Sequence, residues 1–246
     1  MGVWEDLARE LDAWGRAERV ATLWWRDDDA IAPSPALARL HDLGQAHGVV
    51  PALAVVPKAA AAALPGPALF QHGYAHVNHG LRKKAELGPE RPAATVAGEL
   101  ANGRRRLLDL FAGRVLPVLA PPWNRIAPEV VALLPGLGFG GLSTFRPRPK
   151  PAAAPGLVQV NTHADIIDWQ QRRFAGDDLA VGAVLGHLAD RRLGRADAEE
   201  PTGILTHHLV HDAPAWSFLD RLLEVTRAHT AIRWLTPAQA FGLKPA

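Results

Sequence analysis

The side chains able to hold a metal, move a proton or stabilise an anion gather in five short stretches: WWRDDDA (24–30), QHGYAHVNH (71–79), VLAPPWNR (118–125), NTHADIIDWQ (161–170) and GILTHHLVHD (203–212). Asp27, Asp28 and Asp29 stand in succession, and like charges this close either raise a pKa or demand a cation. Read alone, they also suit the solvated N-cap of a helix starting in the following IAPSPALARL; Asp29, ahead of Pro33, marks a turn near an ion once the histidines are counted. His72 and His76 are four apart, a spacing that brings two imidazoles to one side of a helical turn, and His79 is a third within eight residues. Residue 73 is Gly, so the HExxH metalloprotease pattern is excluded. One carboxylate and two histidines make a three-ligand site with open positions. Nitrogen and oxygen donors without any Cys suit zinc, and also cobalt, nickel, manganese or iron.

The other stretches supply proton carriers and an oriented amide. Pro121 and Pro122 fix the backbone and leave the N–H of Trp123 as the next donor, with Asn124 and Arg125 behind it. Asp165 and Asp168 are three apart and precede Trp169. His207 and His208 end an apolar run, where adjacent side chains point to opposite faces, so one of them looks into a site. His207 is taken for that role, and His208 for a structural one.

These stretches follow short apolar runs that read as buried strands: 20–25, 52–56, 68–71, 115–119, 139–143, 157–161, 203–206 and 232–235. Helical patterns lie between them at 35–47, 93–111, 128–134, 179–193 and 215–229, and residues 1–19 form an amphipathic N-terminal helix. Alternating strands and helices imply a parallel sheet with crossover helices. The number of runs predicts an α/β fold, a distorted (β/α) barrel of about seven parallel strands, as one domain over 1–246. In such folds the carboxyl ends of the strands build the active face, which is where all five stretches fall. The proline-rich segment 146–156 reads as a surface excursion rather than a domain boundary.

Composition narrows the function. The chain has 246 residues, is 48% hydrophobic and 21% charged, as expected of a self-sufficient globular domain. The absence of Cys removes thiolate metal sites, disulfide scaffolds and cysteine nucleophiles. A formal charge of +2, with the basic residues spread out, gives no ground for nucleic-acid binding. The longest apolar stretch, 49–70, is broken by four prolines and a lysine, so no membrane span is expected. Without a signal peptide pattern, the expected location is the cytoplasm.

Taken in order, RDDDA, HGYAH, APPWN, DIIDW and LTH resemble the polysaccharide deacetylases, carbohydrate esterase family 4, from about residue 21 to residue 208. The resemblance implies hydrolysis of an N-acyl group, N-acetyl above all, on an amino sugar or glycan. It implies a divalent metal, zinc first, on His72, His76 and the second acid of a pair. With three acids here the register is open: Asp28 as base with Asp29 as ligand is preferred, and Asp27 with Asp28 is the alternative. It implies further that the Trp123 amide stabilises an oxyanion, that His207 is the general acid oriented by Asp165, and that Trp169 walls an acyl pocket. Asn124, Arg125 and Asp168 stand beside these as substrate contacts, with Arg26, His79 and His208 as alternates. Two departures are visible. Ala120 occupies the place of an arginine that pairs with the base, leaving Arg26 or Arg125 to supply it, and Gly73 replaces a Ser or Thr. The missing arginine also leaves open a catalytically impaired metal-binding protein on the same fold.

Overall fold

The computed structural model describes residues 2–243. Among the described residues, twelve strands and seven α-helices follow one another. The strands are β1 (Ala21–Ala30), β2 (Ala52–Val55), β3 (Leu69–His72), β4 (Val115–Ala120), β5 (Gly141–Leu142), β6 (Ala152–Ala154), β7 (Leu157–Gln159), β8 (Ala164–Asp165), β9 (Ile167–Asp168), β10 (Arg173–Phe174), β11 (Thr202–Thr206) and β12 (Ile232–Trp234). The helices are α1 (Val3–Arg16), α2 (Pro35–His47), α3 (Ala93–Phe111), α4 (Pro128–Leu133), α5 (Asp177–Arg192), α6 (Ala213–Ala228) and α7 (Pro237–Ala240).

The main sheet runs β6-β7-β5-β4-β3-β2-β1-β11-β8, with β12 pairing the start of β1. Every pairing in it is parallel except that of β6 with β7. Residues 157–165 form one extended segment with two partners. Its first part pairs with β5, Arg146 and Thr162 continue that edge with a backbone hydrogen bond, and His163 then donates its N–H to Gly203 ahead of the β8–β11 pairing. The ring therefore closes through this segment, and β1, β2, β3, β4, β5, β7–β8 and β11 are the seven parallel staves expected.

Strand alternation sorts the core into two layers. Leu23 and Trp25 of β1 face the outer helices and join Leu7, Leu11 and Trp14 of α1 in the largest apolar cluster. Trp24 faces inward, with Ala52, Ala54, Phe70, Val118 and Phe241. The small alanines leave room for Trp24 and Phe70, against which Phe241, just past α7, packs edge-on at 5.6 and 5.3 Å. That aromatic trio closes the bottom of the barrel. At the two ends of α2 the Ser34 side chain accepts from the Leu37 amide and Gly48 takes the left-handed turn.

Two expectations need correcting. The acid triplet is not a helix cap, because β1 continues through it to Ala30. The excursion 146–156 also contains β6, which folds back antiparallel on β7. Among the described residues, no helix is long and apolar enough to cross a membrane.

Candidate metal and proton-transfer site

The three consecutive acids of β1 have three different surroundings. Asp27 points to the outer face, where its carboxylate accepts from the Thr206 hydroxyl, the His208 amide and His208 Nδ1 at 2.6, 3.0 and 2.5 Å. Burial pushes the Asp27 pKa up, but the His208 charge outweighs it, and Asp27 stays below the ordinary carboxylate range. Asp28 points inward. Asp29 would point outward by strict alternation, but it takes a left-handed φ of 69° and the register with β2 shifts between Asp27 and Ala30. That bulge turns Asp29 onto the same side as Asp28.

Asp29 Oδ1 lies 3.2 Å from His72 Nε2 and 3.1 Å from His76 Nε2. It is buried, and neither contact has hydrogen-bond alignment. Burial raises the Asp29 pKa, but the two imidazoles dominate and hold it far below the carboxylate range. His72 donates Nδ1–H to the Ala120 carbonyl at 2.8 Å; a carbonyl can only accept, so Nε2 is the ring nitrogen left to carry a proton toward Asp29 or to offer its lone pair to a cation. The donor atoms of Asp29, His72 and His76 all lie within 4.8 Å of one another. Two nitrogens and a carboxylate oxygen converging on a point, with the oxygen lacking a donor, fit a divalent cation.

The loop after β3 makes this possible, and it is not helical as the four-residue spacing suggested. Gly73 and His76 both have left-handed φ, 57° and 56°. The buried Glu86 carboxylate accepts the amides of Tyr74 and Ala75 at 3.2 and 2.6 Å. A Cβ on Gly73 would lie 2.0 Å from that carboxylate and 2.7 Å from Pro122. Glycine is thus required where a Ser or Thr was expected, and Glu86 does the anchoring. Nothing in the sequence around Glu86 distinguishes it from a surface acid.

Beside the cluster, Arg26 lies fully buried under the site. One of its terminal nitrogens donates to Asp28 Oδ2 at 3.0 Å, and Nε lies 2.8 Å from Asp28 Oδ1 as an ion pair without hydrogen-bond alignment. Its remaining N–H groups reach Asn124 Oδ1, Ser143 Oγ and the Ser143 carbonyl at 2.6, 2.7 and 3.0 Å. His207 Nε2 stands 3.9 Å from Asp28 Oδ2, and the His207 ring meets Trp169 edge to face at 4.5 Å. The Trp123 ring packs against His76 at 4.4 Å, and its backbone is left-handed at φ 55°.

No family model and no curated protein matches the sequence. Solved structures do. A Mycobacterium smegmatis protein described as a polysaccharide deacetylase superposes with a TM-score of 0.60 at 16% identity, over 92% of this chain and 93% of its own. A family 4 acetyl xylan esterase from Clostridium thermocellum, in complex with a cobalt ion, gives 0.52 at 14% identity over 91% and 93%. A mutant of a family 4 pseudoenzyme with restored enzymatic activity gives 0.55 at 12% identity, over 90% of this chain and 68% of its own. The fold is that of the family 4 carbohydrate esterases.

Against the family 4 pattern, the expected residues divide into those the fold gathers and those it uses elsewhere. Asp28, Asp29, His72, His76, His207, Trp123 and Trp169 are joined by an unbroken series of contacts. The arginine in contact with Asp28 is Arg26, two residues before it on β1. Asn124 is committed to Arg26 rather than open to a ligand. Asp165 makes no hydrogen bond to His207; it accepts the Trp169 indole N–H at 2.7 Å and the Ile167 amide, so it orients His207 only through Trp169. Burial raises the Asp165 pKa despite those bonds. Asp168 accepts the amides of Gln170 and Gln171 and closes the turn between β9 and β10. His79 is exposed on the loop and is not part of the Asp29, His72 and His76 cluster. His208 is buried and bonded to Asp27. Ser143 and Glu86 were missed.

A second group of potential ligands, His163, His187 and Glu200, is fully buried where the barrel closes. Its protons argue against an ion. The Gly203 amide donates to His163 Nδ1 at 2.9 Å, which puts the ring proton on Nε2, facing Glu200 Oε2 at 3.4 Å. Glu200 also accepts the amides of Arg148 and Asn161 at 2.8 and 2.9 Å. This cluster pins segment 157–165 in the ring.

Proposed function

We propose that the chain is a metal-dependent hydrolase removing an N-acyl group, N-acetyl foremost, from an amino sugar or glycan, and that it is a divergent relative of the family 4 esterases. The observation that carries the reading is the convergence of Asp29, His72 and His76 beside an arginine-held Asp28, with His207 across from it. Motif order and fold point the same way. Asp29, His72 and His76 would hold a divalent ion, zinc or cobalt among others; such an ion lowers the pKa of a water and polarises a carbonyl.

The side chains divide the remaining work. Asp28, held by Arg26, accepts the proton of the attacking water. The Trp123 N–H, directed by Pro121 and Pro122, donates to the oxygen that gains charge as the amide carbon becomes tetrahedral. His207 protonates the departing amine at Nε2, since an amide anion is too poor a leaving group to depart unaided. Trp169, tied to Asp165, bounds the space for a small acyl group and fixes the His207 ring.

The alternative, a binding protein that kept the ion and lost turnover, rests on Ala120. The Arg26–Asp28 pair answers that point and favours the hydrolase. The test is acetate release from N-acetylglucosamine oligomers by purified protein, with bound metal measured and zinc or cobalt added. Release that vanishes in His207→Ala supports the proposal. A fully metal-loaded protein that deacylates no acylated sugar or peptidoglycan fragment overturns it.

A further inference from the structure

We infer that the sugar taken by this site carries an anionic group, a phosphate or a carboxylate, seated in the cavity beside the Arg26–Asp28 pair. The inference rests on the proposed deacylase reading and names its substrate class. A cavity of about 530 Å³ is lined by Arg82, Lys83, Arg125, Glu90, Asn124 and Thr144, among others. Three cations against one carboxylate leave it positive by two charges.

The cavity shares walls with the reacting groups. Asn124 accepts from Arg26, and the Thr144 carbonyl faces the same guanidinium at 3.5 Å. Its cations stand on the two loops that build the site. Arg82 and Lys83 follow His76 on the β3 loop, which Glu86 anchors at Tyr74 and Ala75. Arg125 follows Trp123, whose ring packs on His76. Arg125 donates to the Lys84 carbonyl at 2.7 Å, locking the two loops together, and a parallel bridge between Leu87 and Ile126 adds a second tie. The backbone that carries these cations is therefore tied before any ligand arrives, and the ordering cost that opposes binding is confined to the Arg82 and Lys83 side chains. Arg82 and Lys83 are exposed and their head groups make no hydrogen bond or ion pair with the described residues. A neutral glycan gives such groups nothing that matches their charge. A phosphate or carboxylate forms charge-assisted hydrogen bonds with them, each contributing up to about 5-fold in affinity at an exposed position.

The test is titration calorimetry of the metal-loaded chain with N-acetylglucosamine, N-acetylglucosamine 1-phosphate and N-acetylmuramic acid, with acetate release followed in parallel. The expected result is about 10-fold tighter binding of at least one anionic sugar, with the preference shrinking as salt is raised. The tighter of the two anionic probes identifies phosphate or carboxylate. In Lys83→Ala and Arg82→Ala, which leave the Arg125–Lys84 lock intact, affinity for the anionic sugar should fall toward that for the neutral one. Equal affinity for all three sugars, or a preference that both variants retain, overturns the inference and leaves the deacylase reading standing. Anionic preference without acetate release from any probe sinks the deacylase reading and keeps the cavity's assignment.

Discussion

Asp27, Asp28 and Asp29 are neighbours in the chain and strangers in the fold, and substitution should separate them. Asp29→Asn removes a proposed ion ligand, so the metal retained after dialysis should collapse. Asp28→Asn should keep the ion and cost ~10²- to 10⁴-fold in rate. Asp27→Ala should keep the ion and lose roughly 3–5 kcal/mol of stability, since it strands His208 in the core; calorimetry checks it, and loss of metal instead would reverse the register assigned to the acids. The type of these residues was legible in the sequence, but their division was not, because it depends on a bulge that a run of identical letters cannot show. Likewise the two histidine clusters have the same ligand types, and only the partner of the second ring nitrogen tells them apart: a carbonyl for His72, an amide for His163. One equivalent of metal per chain is expected, unchanged in His187→Gln.

Backbone geometry at two glycines carries the elements that bear those residues. Gly73 leaves space for Glu86 to cap the histidine loop. Gly203 lets β11 approach segment 157–165, and a Cβ there would meet the Asn161 carbonyl and the Trp24 indole nitrogen, each at 2.5 Å. Gly203→Ala should therefore wedge the ring where it closes and cost about 1–3 kcal/mol or more by overpacking, read as a lower denaturation midpoint. An unchanged midpoint would mean that the ring is looser than described. The apolar runs of β2, β3, β4 and β11 were readable because strands buried on both faces are continuously hydrophobic. The hidden parts were those where polarity and structure part company: the charged end of β1, the proline-rich β6, and the short hairpin of β9 and β10, whose residues read as site groups.

The barrel as a whole keeps two stacked imidazoles, His163 and His187, 3.4 Å apart at its closure, and this sets a limit on acid tolerance. Burial, the neighbouring His163 and Arg191 push His187 down to about 2, from 6.5 when unfolded, and burial also lowers His163. The unfolded chain thus binds protons that the fold refuses. This contribution to stability is complete above pH 6.5 and is lost as pH falls below it. At pH 4.5 the loss through His187 amounts to roughly 2–3 kcal/mol. His187→Gln, which keeps a donor for Thr202, should flatten the dependence of the unfolding midpoint on pH between 7 and 4.5; an equally steep dependence would contradict the assignment. The position of β1 between β2 and β11 bears on how the molecule assembles. Asp29, His72 and His76 are all synthesised early, whereas the bond from the His208 amide to Asp27 joins residues 181 apart. Closing so long a loop is entropically costly and slow. On the proposed reading, a nascent chain gathers Asp29, His72 and His76 well before His207 arrives, and loading with metal and gaining turnover become separate events in time.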